Sequence, residues 1–127
     1  MKQLVLFGFF FFIFACSDQV SEIQLTELSV HNMKIIPEKP TSADEIKLVV
    51  FDDCNYHKLS EITRNGRIID IEKSFNGAMK WPCIIGNDTI NIGKLVTGTY
   101  TVNYRLVDVV SSGAPVISFS FYLAVSR

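Results

Sequence analysis

Acidic side chains give this sequence its first candidates for chemistry. Asp52 and Asp53 are adjacent, and alternation along a strand would send them to opposite faces, so they cannot act as paired catalytic carboxylates. Asp70 and Glu72 share a face and, with one or two carbonyl oxygens, could bind a calcium ion. The simpler interpretations are solvated ends of a strand for the first pair and an outward-facing polar stripe for the second.

Other residue types that support catalysis are not arranged for it. His31 and His57 have no partner at metal-ligand spacing, so a zinc site would have to assemble from distant strands. No serine occupies a nucleophile-elbow pattern, and no glycine-rich loop precedes a helix. We therefore expect a noncatalytic protein without a cofactor or metal; an enzyme with an unrecognised site is the alternative.

The N-terminal segment has the layout of an export signal. Lys2 is followed by an apolar run from Leu4 to Ala15, whose length as a helix would be about 18 Å. The hydrocarbon core of a membrane is roughly 30 Å thick. The run is too short to span it, and the small Ala15 precedes Cys16 as at a cleavage site. Residues 1–15 are predicted to be removed.

The cleavage site carries a more specific resemblance. The run Ile13-Phe14-Ala15-Cys16 resembles the lipobox of bacterial lipoproteins, which implies that Cys16 becomes the lipidated N-terminus. Ser17-Asp18 is similar to the start of surface-exported lipoproteins of the Bacteroides and flavobacterial group. The resemblance implies a protein anchored by lipid to the outer membrane, on its periplasmic or surface face; a secretory signal that happens to end near a cysteine is the alternative.

The composition after cleavage is that of a small, mildly acidic domain. Six of the ten phenylalanines lie in residues 1–15, and the remaining chain has 11 basic and 13 acidic side chains. This balance does not favour binding to nucleic acid. About 112 residues suit one domain with one core.

The cysteine count depends on Cys16. With Cys16 assigned to lipid, Cys54 and Cys83 remain as an even pair in an oxidising compartment, and we expect them to form a disulfide. Two free thiols are the alternative, and a metal-binding pair is a weaker one.

The rest of the chain has the residue pattern of β-strands. Residues 16–27 are mostly polar and are interpreted as a tether; beyond them, β-branched and aromatic residues recur with period two between turn signals. The second strand should be central because both of its faces are apolar, and Asn65-Gly66 predicts a type I′ hairpin. The predicted strands are 29–37, 45–52, 57–63, 68–73, 88–93, 99–110 and 114–125, with no helix of useful length.

The strongest indication of fold lies between the fifth and sixth predicted strands. Leu95, Gly98 and Tyr100 resemble the L-x-x-G-x-Y tyrosine corner of immunoglobulin-like and fibronectin-type domains. The resemblance implies an all-β, immunoglobulin-like β-sandwich of about seven strands over residues 28–127, with strands A, B, C, C′, E, F and G in chain order. Val102 stands where antibody domains have a cysteine, so the usual bridge between strands B and F is not expected.

Taken together, the lipobox, the two cysteine positions and the tyrosine corner resemble small immunoglobulin-like lipoproteins of Bacteroides-type bacteria. That resemblance implies no particular activity.

Three surface features are candidates for binding or modification. Arg64 and Arg67 would project from one hairpin tip and could bind an acidic group. Trp81, beside Cys83, could form a rigid contact loop, although a tryptophan that covers the disulfide is the simpler interpretation, as a solvated tip is for the arginines. Asp88-Thr89-Ile90 resembles the O-glycosylation acceptor of Bacteroides-type bacteria, which implies a glycan on Thr89.

The function expected from the sequence is therefore that of a noncatalytic envelope lipoprotein that binds or scaffolds a protein or glycan partner. A secreted-type inhibitor or adhesin that uses the Trp81 loop is the alternative.

Overall fold

The computed structural model describes residues 28–54, 59–79, 83–111 and 114–127, with the side chains of residues 52, 54 and 59 outside the description. Their strands form two sheets. One sheet has the order β1-β2-β5 and the other β3-β4-β6-β7. The strands are β1 (Met33–Ile36), β2 (Ile46–Cys54), β3 (Leu59–Asn65), β4 (Ile68–Phe75), β5 (Ile85–Gly93), β6 (Gly98–Asp108) and β7 (Pro115–Val125).

The predicted seven-stranded β-sandwich is confirmed. Inward-facing side chains of both sheets form one apolar cluster, to which β2 and β5 contribute Leu48 and Ile92 and β6 and β7 contribute Val102 and Leu123. These four side chains are fully buried. Burial of a Val or Leu side chain contributes about 1.5 to 3 kcal/mol to the free energy of folding. The alternation of apolar residues along the strands therefore explains why the two sheets pack face to face.

The position of β2 is also confirmed. It pairs with β1 on one side and with β5 on the other, both antiparallel. The middle of the strand is buried on both faces, as Leu48, Val49 and Val50 show, whereas Lys47 is exposed. A central strand with a covered outer face explains the continuous apolar run that the sequence has there.

The first strand is shorter than predicted. Residues 28–30 are helical, and β1 begins only at Met33. Asn32 has a positive φ of 55° and its side chain donates a hydrogen bond to the Phe51 carbonyl, 2.8 Å away. The left-handed residue turns the chain between the helical residues and β1, which the apolar pattern alone does not reveal.

The β3–β4 hairpin forms, but its turn differs from the predicted type I′. Asn65 pairs with Ile68, so Gly66 and Arg67 are the two loop residues. Gly66 has a φ of 59°, and neither Asn65 nor Arg67 has a positive φ. A single positive φ at the first loop residue fits a type II′ turn, whose first central position favours glycine.

The strand order of the four-stranded sheet differs from that of immunoglobulin domains. In the immunoglobulin arrangement the third strand lies beside the sixth, whereas here β4 lies beside β6 and pairs with it in parallel. Burial explains the exchange: Ile69 and Ile71 of β4 are buried, while β3 presents mostly exposed residues. The more apolar strand takes the inner place, and β3 becomes the edge.

Candidate functional site

The outer face of the four-stranded sheet carries two rows of polar side chains. Strand register places Thr63, Asp70, Asn103 and Ser120 in one row, and Glu61, Glu72, Arg105 and Ser118 in the next. Neighbouring strands are about 4.8 Å apart, and alternate residues along a strand about 6.6 Å. We call these eight residues the outer polar face.

Hydrogen bonds fix the side chains of this face. The Ser120 hydroxyl donates to Asn103 Oδ1, and Asn103 Nδ2 donates to Asp70 Oδ1, both at 2.7 Å. In the second row, Arg105 Nη2 lies 2.5 Å from Glu72 Oε2. Asp70 and Glu72 are thus engaged with β6 as parts of a polar stripe.

The two rows border an open cavity of about 340 Å³. Its polar lining comprises Glu61, Thr63, Asp70, Glu72, Asn103 and Arg105. Three carboxylates and one guanidinium make the lining acidic, which disfavours anionic ligands. An aromatic ring stands on the same face, because Tyr122 follows Ser120 by two positions and is 60% exposed.

The arginines that flank the hairpin turn have partners within the fold. Arg64 lies on the edge strand β3, and its Nη2 donates to the Ile92 carbonyl of the opposite sheet. Arg67 Nη1 donates to the Thr97 carbonyl at 3.1 Å, and its guanidinium lies over the Tyr100 ring. Both guanidinium groups therefore connect the hairpin to other parts of the sandwich.

The tyrosine-corner residues lie together. The ring of Tyr100 is buried, and its hydroxyl donates to the Val96 carbonyl, 2.9 Å away. Leu95 is buried beside it, and Gly98 has a φ of 145°, in the region that favours glycine. This is the backbone hydrogen bond that such corners make.

Most of the remaining site predictions fall outside the described residues. Cys16 and Trp81 lie there, as does the side chain of Cys54. Cys83 is disulfide-bonded, and its pairing with Cys54 stays a prediction. Thr89 is exposed on β5, opposite Val49, and its glycosylation also stays a prediction.

A buried charged cluster inside the sandwich was not predicted. Lys73 is 1% exposed, and its amine contacts the carboxylate of Asp88 and lies 3.8 Å from Asp53 Oδ2. Asp53 is therefore not the solvated strand end expected from the sequence. Burial, and to a lesser degree the charge of Asp53, raise the pKa of the nearby Tyr104 hydroxyl. The one sequence feature that could have indicated this cluster is the position of Lys73 on the same strand face as Ile69 and Ile71.

The histidines show no metal site within the described chain. His31 stacks on Phe119 with ring centroids 4.0 Å apart, and His57 lies outside the description. Among the described residues, no group of three or more His, Cys, Asp and Glu side chains could hold a metal ion. No helix in that same part of the chain is long and apolar enough to cross a membrane.

These features define a seven-stranded β-sandwich with a polar face on one sheet and a buried ion cluster between the sheets. Comparison with known proteins adds no relative: no family model, curated protein or solved structure matches the chain.

Proposed function

We propose that the protein is a noncatalytic, lipid-anchored module of a bacterial envelope and that it binds a neutral glycan on the outer polar face. The observation that carries the proposal is the acidic cavity of about 340 Å³ on a sheet face that also presents the exposed Tyr122, two residues along β7 from Ser120. A protein partner is the competing possibility for the same surface.

The chemistry of the face suits sugar hydroxyls. Carboxylate and amide groups offer fixed acceptors and donors, and hydrogen bonds to charged groups are stronger than those between neutral groups. Because Asn103 bonds to both Asp70 and Ser120, these groups are held in position before a ligand arrives, which lowers the entropic cost of binding.

The aromatic ring supplies the apolar contact. Tyr122 combines a flat apolar surface with a polar tip, the type of side chain that serves where one side of a ligand is apolar and the other is wet. A sugar ring has such sides, with C–H groups on its faces and hydroxyls at its rim.

The N-terminal segment supports the proposed location. A lipidated Cys16 with several acyl chains would anchor the protein firmly, since a single chain gives only marginal membrane binding. The anchor is tested by labelling cells with a fatty-acid analogue: wild type should take up label, and Cys16→Ser should take up none. Label in neither protein, with the variant still in the membrane fraction, would contradict the anchor.

Binding is tested by affinity electrophoresis in gels that contain xylan, mannan, β-glucan or α-glucan, with polygalacturonate as the anionic comparison. We expect retardation by at least one neutral polysaccharide and none by polygalacturonate. Asn103→Ala and Tyr122→Ala should each weaken retardation, and Asn87→Ala, an exposed residue of the other sheet, should not.

The outcomes separate the competing functions. No retardation by any neutral polysaccharide would overturn the glycan proposal. Equal retardation of wild type and both outer-face variants would place the binding elsewhere. Capture of an envelope protein that Asn103→Ala abolishes, without binding to any polysaccharide, would establish the protein partner.

A further inference from the structure

Lys73 is the one buried charged residue among those the structure describes. It lies on β4, on the same face as Ile69 and Ile71, and its register partner on β6 is Leu106. An amine in such surroundings has lost nearly all contact with water, which is costly unless a partner compensates for it.

Two carboxylates from the opposite sheet meet this amine. Asp88 of β5 is in direct contact with Lys73 Nζ, and it faces inward because Ile90 and Ile92 follow at alternate positions and are buried. The Asp88 and Asp53 side chains are 24% and 16% exposed. The cluster is thus largely shielded, with one amine between two acids.

A β-bulge in β2 places the second acid, Asp53, on the inner face of the sheet. Val50 pairs with Asp88, and Asp53 pairs with Gly86. Between these two pairs, β2 therefore has one residue more than β5. The extra residue shifts the alternation and puts Asp53 on the same face as Val50. Without the bulge, Asp53 would point away from the core.

We propose that Lys73 and Asp88 form an intramolecular isopeptide bond, with Asp53 as the catalytic residue that carries the proton. A buried ion pair without a covalent bond is the competing possibility. The bond would join β4 of one sheet to β5 of the other.

The condensation of the Lys73 amine with the Asp88 carboxyl group needs no oxidant, reductant or cofactor. The Lys73 ammonium gives one proton to the Asp88 carboxylate, which leaves a neutral amine beside a neutral acid, the forms that a shielded site favours over ions. A second proton passes from nitrogen to Asp53 as Nζ attacks Cγ of Asp88. Asp53 returns that proton to the departing hydroxyl; the Cγ–N bond forms, the Cγ–O bond breaks, and one water leaves.

The site has what this condensation needs. Fixed contact between nucleophile and acid replaces a bimolecular encounter, which removes the entropic cost of bringing the two groups together. Exclusion of water disfavours hydrolysis of the product. The raised pKa of Tyr104, caused by burial and by Asp53, is consistent with a weakly solvated site beside an acidic group.

The decisive measurement is the intact mass of the purified mature protein after reduction and alkylation, followed by peptide mapping. The proposal expects a mass lower by one water than the sequence requires, and a branched peptide in which Lys73 is joined to Asp88. A full mass, with Lys73 open to acetylation after denaturation, would overturn it.

Variants test the role of each residue. Asp53→Asn should retain the full mass, because Lys73 and Asp88 remain but the proton carrier is lost. Asp88→Asn should give the same cross-linked mass as wild type by loss of ammonia, whereas Asp88→Ala should give none. Glu38→Gln, an exposed carboxylate elsewhere, should cross-link fully. Cross-linking of Asp53→Asn at the wild-type rate would remove Asp53 from the mechanism.

Discussion

The guanidinium carbon of Arg67 lies 4.8 Å from the centroid of the Tyr100 ring. The same side chain passes over Gly98, where an added Cβ would overlap the guanidinium. The hairpin turn and the tyrosine corner therefore share one packing arrangement, with the arginine between them. The Thr101 amide donates to the Arg67 carbonyl, 2.8 Å away, and ties the two backbones together as well.

Gly98→Ala should lower the free energy of unfolding by roughly 1 to 3 kcal/mol. The φ of 145° is strained for alanine, and its methyl group would displace Arg67. Urea titration followed by tryptophan fluorescence measures the change. Gly86→Ala is the control, since no atom lies within 4 Å of its added Cβ and surface changes usually stay within about 0.5 kcal/mol. Equal losses would contradict the packing role of Gly98.

Tyr100→Phe should cost about 0.5 to 1.5 kcal/mol, because it removes the hydrogen bond to the Val96 carbonyl and leaves the ring in place. The measurement is again the free energy of unfolding in urea. Tyr122→Phe removes a hydroxyl from an exposed ring and should change stability by less than about 0.5 kcal/mol. If the two variants unfolded alike, the hydroxyl of Tyr100 would have no special part in the corner.

Asp108 should titrate at a lower pH than an ordinary aspartate. Its carboxylate accepts hydrogen bonds from the amides of Gly77 and Val110, at 2.9 and 3.1 Å, and the Gly77 bond is the main cause of its lowered pKa. Because the folded-state pKa is lowered, this contribution to stability is complete above the aspartate pKa of the unfolded chain. It is lost as the pH falls through the lowered pKa.

The test is an NMR titration of the Gly77 amide in acid. Its shift should move with a midpoint below the usual aspartate range, and Asp108→Asn should abolish that transition. A midpoint in the usual range would show that the two amide bonds do not favour the charged carboxylate.

Local pattern was enough to predict the strands and the β3–β4 hairpin, but not the strand order of the four-stranded sheet. Alternation in β6 and β7 marked the buried faces that include Val102 and Leu123, and the corner residues marked the connection between β5 and β6. Pattern within a strand says which face is buried and nothing about which strand lies alongside. The exchange of β3 and β4 depends on how much apolar surface each buries, which is a comparison between strands.

The sequence indicated a polar stripe at Asp70 and Glu72, but neither the partners of that stripe nor the buried charged cluster. The outer polar face is built by register, which brings Asp70 next to Asn103, 33 residues further along the chain. In the buried cluster, the bulge in β2 reverses the alternation before Asp53, so simple counting assigns that residue to the wrong environment. A lysine among isoleucines was the visible sign, but its partners were too distant in sequence to infer.

The final prediction concerns the disulfide of Cys83. Cys83 is bonded, and Cys54 is paired in register with Ile85, two residues from Cys83. We expect Cys54 to be the partner, since lipidation of Cys16 would leave no other cysteine. Loss of a bridge across about 30 residues should lower the free energy of unfolding by roughly 3 to 4 kcal/mol.

The pairing is tested by peptide mapping without reduction, which should recover a peptide of Cys54 joined to Cys83. Cys83→Ala should unfold at lower urea concentration than wild type, and Cys16→Ser, which alters only the anchor position, should unfold as wild type does. Alkylation of Cys54 in the folded, unreduced protein would contradict the pairing. Because Lys73 and Asp88 lie on either side of Cys83 in the chain, the map must be read after isopeptide-linked peptides have been assigned.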